Sequence, residues 1–209
     1  IGERFLKPQR PSTGSPIDRA IDGLSSSSTV ILTHPTGEDG APIETDRELA
    51  KLVSEVARRL LDRQSLISTN PDERTNPRTL TADDIGIVST HNQMNTAIQN
   101  ELTGDLSKIS VTTPERWQGL ERPVMIAVHP LSGVMFPSSF DLETGRLCVM
   151  SSRHQSACIF VTRDHVGETL DTHLPIADQA LGRADIVGRG HSQHTQFWQY
   201  HVNRNLIIR

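Results

Sequence analysis

An α/β fold, a parallel sheet with helices on both faces, is predicted by three features of this 209-residue sequence. Short, nearly uninterrupted apolar runs recur at Thr29 to His34, Ile85 to Val88, Ile109 to Thr112, Val124 to Val128 and Ala157 to Val161. They have strand length and lack the alternation of a half-solvated sheet, so both faces must be covered. Between several of them lie segments whose apolar residues repeat at helical spacing. A hydrophobic content of 35% with no internal repeat fits one core and not a chain of modules.

The elements follow in order. Residues 7 to 28 are rich in Pro, Ser, Gly and charge and end in Ser25-Ser26-Ser27-Ser28, so residues 1–28 read as an irregular approach segment. The first strand, Thr29 to His34, is stopped by Pro35-Thr36-Gly37-Glu38-Asp39-Gly40. Thr45-Asp46-Arg47-Glu48 has capping-box spacing, and Leu49, Leu52, Val53, Val56 and Leu60 continue it as a helix. A polar excursion with two Asn-Pro steps occupies residues 64–82. After the strand Ile85 to Val88, Met94, Ala97, Ile98 and Leu102 give a helix from Asn92 to Leu102 one apolar face. A helix is also predicted from Thr144 to Ser152. The predicted division is 1–28, a main domain over 29–175, and a helical extension over 176–209.

Charge and cysteine content narrow the function. Lys+Arg 21 against Asp+Glu 25 gives a net charge of −4, so contact with a polyanion has to be local. Cys148 and Cys158 lack metal-type spacing, and a chain of this size needs no disulfide, so free thiols in a cytoplasmic protein are expected. No run approaches the ~20 apolar residues of a membrane span and no signal-peptide pattern opens the chain, so no membrane partner is expected. The start at Ile1, without Met, suggests a fragment or processed product.

In open parallel sheets ligands gather beyond the carboxyl ends of the strands. Ser89 and Thr90 follow one predicted strand; Thr112 and Thr113 close another and lead into Gln118-Gly119-Leu120-Glu121, a polar turn whose glycine lets backbone approach a ligand. Ahead of the last strand, Arg146 and Arg153 stand seven apart, so on one helix both would reach the same anion-rich site.

These blocks, in this order, resemble motifs IV, V and VI of superfamily 1 helicases. Motif V corresponds to Thr113 with Gln118-Gly119-Leu120-Glu121, and motif VI to Arg146-Leu147-Cys148-Val149-Met150-Ser151-Ser152-Arg153-His154. The resemblance covers about residues 29–163 and implies the second RecA-like domain of an ATP-dependent helicase or translocase. It implies Arg153 as the arginine finger, Gln118, Gly119, Glu121 and Arg146 at the nucleotide, and Ser89, Thr90, Thr112 and Thr113 along single-stranded DNA or RNA. ATP and Mg²⁺ are the implied cofactors. The phosphate-cradling loop and magnesium-binding acids do not occur in this sequence and are expected in a first RecA-like domain of the same polypeptide. The chain departs from the pattern at Gln155, where a base is usual, at Cys148 in place of Asn, and at Glu115 in place of Asp. A RecA-like regulatory or nucleic-acid-binding module without catalysis, or another P-loop-type enzyme domain, are the alternative readings.

Other candidates give way to packing. His191, His194 and His201 share a segment with Phe197, Trp198 and Tyr200 that reads as an amphipathic helix and not a metal site. Cys148 and His154, six apart on one helix, are poorly placed as nucleophile and base, and Trp117 reads as buried.

Overall fold

The computed structural model describes residues 5–36, 43–68, 77–173 and 186–209. The expected turn over 37–40, much of the 64–82 excursion with its Asn-Pro steps, and the 175/176 boundary lie wholly or partly outside them.

Six strands form one parallel sheet: β2 (Thr29–His34), β5 (Ile85–Val88), β6 (Ser110–Thr112), β7 (Arg122–Val128), β8 (His154–Arg163) and β9 (Ile207–Ile208), in the spatial order β6-β5-β7-β8-β2-β9. A second, antiparallel sheet joins β1 (Phe5–Lys7), β3 (Leu66–Ser68) and β4 (Arg78–Thr79). All five strands read from sequence are present; β7 and β8 start two and three residues earlier than expected.

Successive strand residues point to opposite faces, and each face has its own core. Val30, Leu32, Ile85, Ile87, Val124, Ile126, Ile159 and Val161 meet α1 (Pro16–Gly23), α2 (Arg47–Asp62) and α3 (Asn92–Glu101) on one side. Ile31, Met125, Ala127, Cys158 and Phe160 meet α4 (Pro114–Trp117), α5 (Thr144–Ser152), α6 (Val166–Thr172) and α7 (Ile186–Asn203) on the other. Each such aliphatic side chain contributes about 1.5–3 kcal/mol through burial. The α/β architecture with both faces covered is therefore the observed one. Among the described residues, no helix is long and apolar enough to cross a membrane.

Two segments differ from the sequence reading. The approach segment is not wholly irregular, because it contains α1, capped by the Ser15 hydroxyl accepting from the Asp18 amide (3.2 Å) with Pro16 at the first position. Ala20 and Ile21 enter the core, and Asp18 is fully buried. The Arg59 guanidinium donates to both Asp18 oxygens (2.8 and 2.9 Å), and the Thr13 amide and hydroxyl donate to it as well. These bonds outweigh burial and hold the Asp18 carboxyl well below the usual range.

The helix after residue 45 is capped one residue later than its capping-box spacing suggests. Asp46 accepts from the amides of Glu48 and Leu49, both at 3.0 Å, and α2 starts at Arg47. Glu48 does not fold back to the cap; it accepts from Arg163 at the end of β8 (2.7 Å), which also binds both Asp46 oxygens at 2.7 and 2.9 Å. At the other end of the chain, β9 extends the main sheet, so the expected helical extension ends in a strand paired with β2.

Candidate functional site

The nine candidate residues do not converge on one edge of the sheet. Gly119 and Glu121 immediately precede β7, and Arg153 immediately precedes β8, with the Arg122 amide donating to the Arg153 carbonyl at 3.0 Å. These residues, with neighbouring Gln118, occupy the amino edge. Ser89 and Thr90 follow β5 and Thr112 and Thr113 close β6, at the carboxyl edge. The hydroxyl residues therefore stand just after their strands, whereas Gly119 and Glu121 stand just before one, as Arg153 was expected to. The difference comes from α4 and α5, which carry the chain back across the sheet before the next strand begins.

At the amino edge the loop is held by one aromatic anchor. Trp117 is buried, and its indole N–H donates to the Ile87 carbonyl at 3.1 Å. Gly86 makes room for it: a Cβ there would stand 2.7 Å from the Trp117 ring and 2.7 Å from Met125 Sδ. Beyond the anchor the chain turns through Gly119 at φ +78°, a conformation that L side chains avoid, and no atom lies within 4 Å of the position its Cβ would take. Backbone is thus open to a ligand at this point. Glu121 is exposed and accepts from the Gln155 amide at 3.3 Å. Arg153 caps α5, and its guanidinium donates to the Ser152 hydroxyl at 3.0 and 3.3 Å; it forms no ion pair among the described residues.

Arg146, two helical turns earlier, is in the opposite state. It is bound to Glu115 at 2.9 Å and to Glu143, donates to the Phe140 carbonyl at 3.0 Å, and lies 3.8 Å above the Phe140 ring. Burial works against the Glu115 carboxylate, but hydrogen bonds from its own backbone amide and the Thr113 hydroxyl, together with Arg146, lower its pKa. Seven helical residues span about 10 Å along the axis. One guanidinium is thus paired with carboxylates within the chain, and the other has no ion pair among the described residues.

At the carboxyl edge the chain leaves β5 through α3 on one face and leaves β7 towards α5 on the other. This divergence makes the β5–β7 crevice a topological switch point, the usual ligand position in an open parallel sheet. A cavity of about 20 Å³ there is lined by Ser89, Thr90, His91, His129 and Ser132 among others. Ser89 is buried, its hydroxyl donating to the Asn95 side chain at 2.8 Å, so this hydroxyl is engaged in the fold. Thr90, Thr112 and Thr113 are half-buried.

The histidines expected to pack do so separately. His191 meets the Leu170 carbonyl at 2.9 Å, and His201 lies between Thr29 Oγ1 at 2.9 Å and the Phe197 carbonyl at 2.8 Å. His194 is fully buried, edge-to-face with His129 at 5.2 Å, and neither of its ring nitrogens has a hydrogen-bond partner among the described residues. His129 Nδ1 accepts from the Leu131 amide at 3.2 Å, which places the proton on Nε2. Burial first, and neighbouring imidazoles second, push His129 far below its ordinary value, and burial pushes His194 down to about 4. His129, hidden in the sequence as an ordinary strand-end residue, is the partner that reading did not find. Among the described residues no three His, Cys, Asp or Glu side chains group as metal ligands. Cys148 is an exposed free thiol; Cys158 is buried, which pushes its pKa up.

No protein-family model matches the chain, and no curated protein matches it either.

Proposed function

We propose that this chain is the second RecA-like motor domain of an ATP-dependent superfamily 1 helicase or translocase, with its nucleotide side at the amino edge and its nucleic-acid side at the carboxyl edge. The observation that carries the reading is Arg153: a guanidinium without an ion pair among the described residues, beside a loop opened by Gly119, on a helix whose other arginine is already neutralised. A triphosphate fits these residues. ATP would supply the phosphoryl group that is transferred. Arg153 would meet the negative charge that spreads over the transferring oxygens, and its planar fork suits two of them. The Gly119 backbone would approach the phosphates, Gln118 would order the loop, and Glu121 would accept from the ribose hydroxyls. Arg146 is placed to hold α4 against α5 through Glu115. Among the described residues no three His, Cys, Asp or Glu side chains group as a ligand set, and this reading gives Mg²⁺ to the facing domain.

Single-stranded DNA or RNA would cross the carboxyl edge, where Thr90 and Thr112 present hydroxyls to phosphates, while the Ser89 and Thr113 hydroxyls are held by Asn95 and Glu115. Gln155 supports a second reading, a RecA-like binding module without catalysis, because it holds Glu121 where the family has a cation.

The 209-residue chain alone should show no ATP turnover, since half of the phosphate-binding apparatus lies elsewhere in this scheme. Steady hydrolysis by the purified chain, abolished by a substitution within it, would overturn the proposal.

A further inference from the structure

The loop after β7 exposes Met135, Phe136 and Phe140, and it meets a fourth exposed apolar side chain, Ile43. The rest of this loop is firmly packed. Leu131 and Leu142 enter the core, the Ser132 hydroxyl donates to the Thr162 hydroxyl at 3.0 Å, and a Cβ on Gly133 would lie 2.7 Å from the Ile43 carbonyl. Phe140 is held by the Arg146 guanidinium at 3.8 Å and the His91 ring at 5.5 Å. Met135 and Phe136, the latter 83% exposed, therefore stand on a fixed base and are not the loose end of an unpacked segment.

The charge around them has one sign. From Pro130 to Gly145 the chain carries Asp141 and Glu143 and neither Lys nor Arg. Glu44 and Glu115 border the same patch, and among the described residues one cation is paired with these four acids: Arg146, bound to Glu115 at 2.9 Å and to Glu143. Glu44 has only the His91 ring, at 3.7 Å, and Asp141 the amide and hydroxyl of Ser138. Four carboxylates against one guanidinium leave a negative surplus.

We infer that this loop is a docking surface for a protein segment that presents apolar side chains flanked by Lys or Arg. Contiguous exposed apolar side chains with a polar rim mark contact sites, and an aromatic anchor such as Phe136 carries a large share of the binding energy when a partner covers it. Because the loop is already packed, it gives up little freedom on binding. The acids select the partner: cationic flanks are drawn to the surplus carboxylates, whereas an acidic segment or a polyanion brings like charge against them. The inference concerns a protein partner and does not depend on the helicase reading.

The test follows, by fluorescence anisotropy, the binding to the 209-residue chain of a labelled amphipathic peptide made of leucine and lysine at helical spacing. Two peptides of the same pattern serve as comparison, one with glutamate for lysine and one with serine for leucine. The leucine–lysine peptide should bind about tenfold more tightly than either, and less tightly as salt rises. Met135→Ser with Phe136→Ser should lower its affinity by about tenfold and leave the urea midpoint unchanged, because neither side chain enters the core. Glu44→Gln should lower it by about threefold. No binding of the leucine–lysine peptide, equal binding of the glutamate peptide, or full affinity in the double-serine variant would each overturn the inference. Self-association of the parent that the double-serine variant abolishes and the peptide cannot displace would make the patch a contact between copies of this chain, and would overturn it too. None of these outcomes bears on ATP turnover, so this inference and the helicase reading fail separately.

Discussion

At the carboxyl edge of the sheet, charge is consumed inside the fold. Arg163, almost wholly buried, ties the end of β8 to both oxygens of the α2 cap Asp46 and reaches Glu48 and the Pro35 carbonyl as well; Asp164 takes the Thr36 amide at 2.8 Å and hydroxyl at 2.7 Å. At the amino edge, Arg153 and Glu121 are bound by a neighbouring hydroxyl and one side-chain amide. The two edges teach different lessons about an arginine. Where desolvation is offset by paired carboxylates, removing the cation leaves buried charge behind; where the cation faces outward, its removal leaves the fold unaffected and any consequence must be functional.

The largest stability effect is therefore expected at the carboxyl edge. Arg163→Ala strands the Asp46 carboxylate and should cost about 3–5 kcal/mol, read as a lowered urea midpoint. A loss below about 1 kcal/mol would mean that this network is solvated and that the contrast between the edges is weaker than drawn.

Acid should expose a smaller weakness, in the core under α7. The folded chain holds His129 and His194 below their ordinary value of 6.5, His194 at about 4, whereas the unfolded chain does not. As pH falls below 6.5 the unfolded state takes up protons that these imidazoles refuse, so stability drops by about 1.4 kcal/mol per pH unit for each; above 6.5 they make no difference. The lowered carboxylates lose their contribution only as pH falls below their ordinary values, 3.8 for Asp18, Asp84 and Asp164 and 4.5 for Glu48 and Glu115, so urea midpoints at pH 7 and pH 5 isolate the lowered histidines, His201 among them. Equal midpoints would show that solvent reaches the pair.

The smallest change in stability is expected for Arg153→Ala, within about 0.5 kcal/mol of the parent. A loss comparable with that of Arg163→Ala would make Arg153 a structural residue and erase the distinction between the edges.

Much of this frame was legible beforehand because strands buried on both faces write themselves as continuous apolar runs, and α2, α3 and α5 carry clear periodicity or position. What escaped was short or long-range. The run Pro16–Gly23 looked irregular by composition, although Ala20 and Ile21 give α1 a buried face and Ser15 a cap. A two-residue strand such as β9 has no periodicity to detect; only its pairing with β2 creates it. The Asp46–Arg163 bridge joins residues 117 apart, and nothing local marks either partner. Within the candidate site, residue types and order were readable, but the edge on which each would stand depended on the path of α4 and α5 through the fold.

The most direct test of the proposed function is ATP turnover, stimulated by single-stranded nucleic acid, by a polypeptide in which this chain is joined to the first motor domain that the proposal calls for, with Arg153→Ala compared with the parent. A finger acts on charge that develops during transfer, so nucleotide binding should persist while turnover falls by about 10³ or more, with Arg153→Lys restoring little. Turnover close to the parent rate in the alanine variant would reduce Arg153 to a solvated helix-end charge and remove the basis for placing the nucleotide at the amino edge.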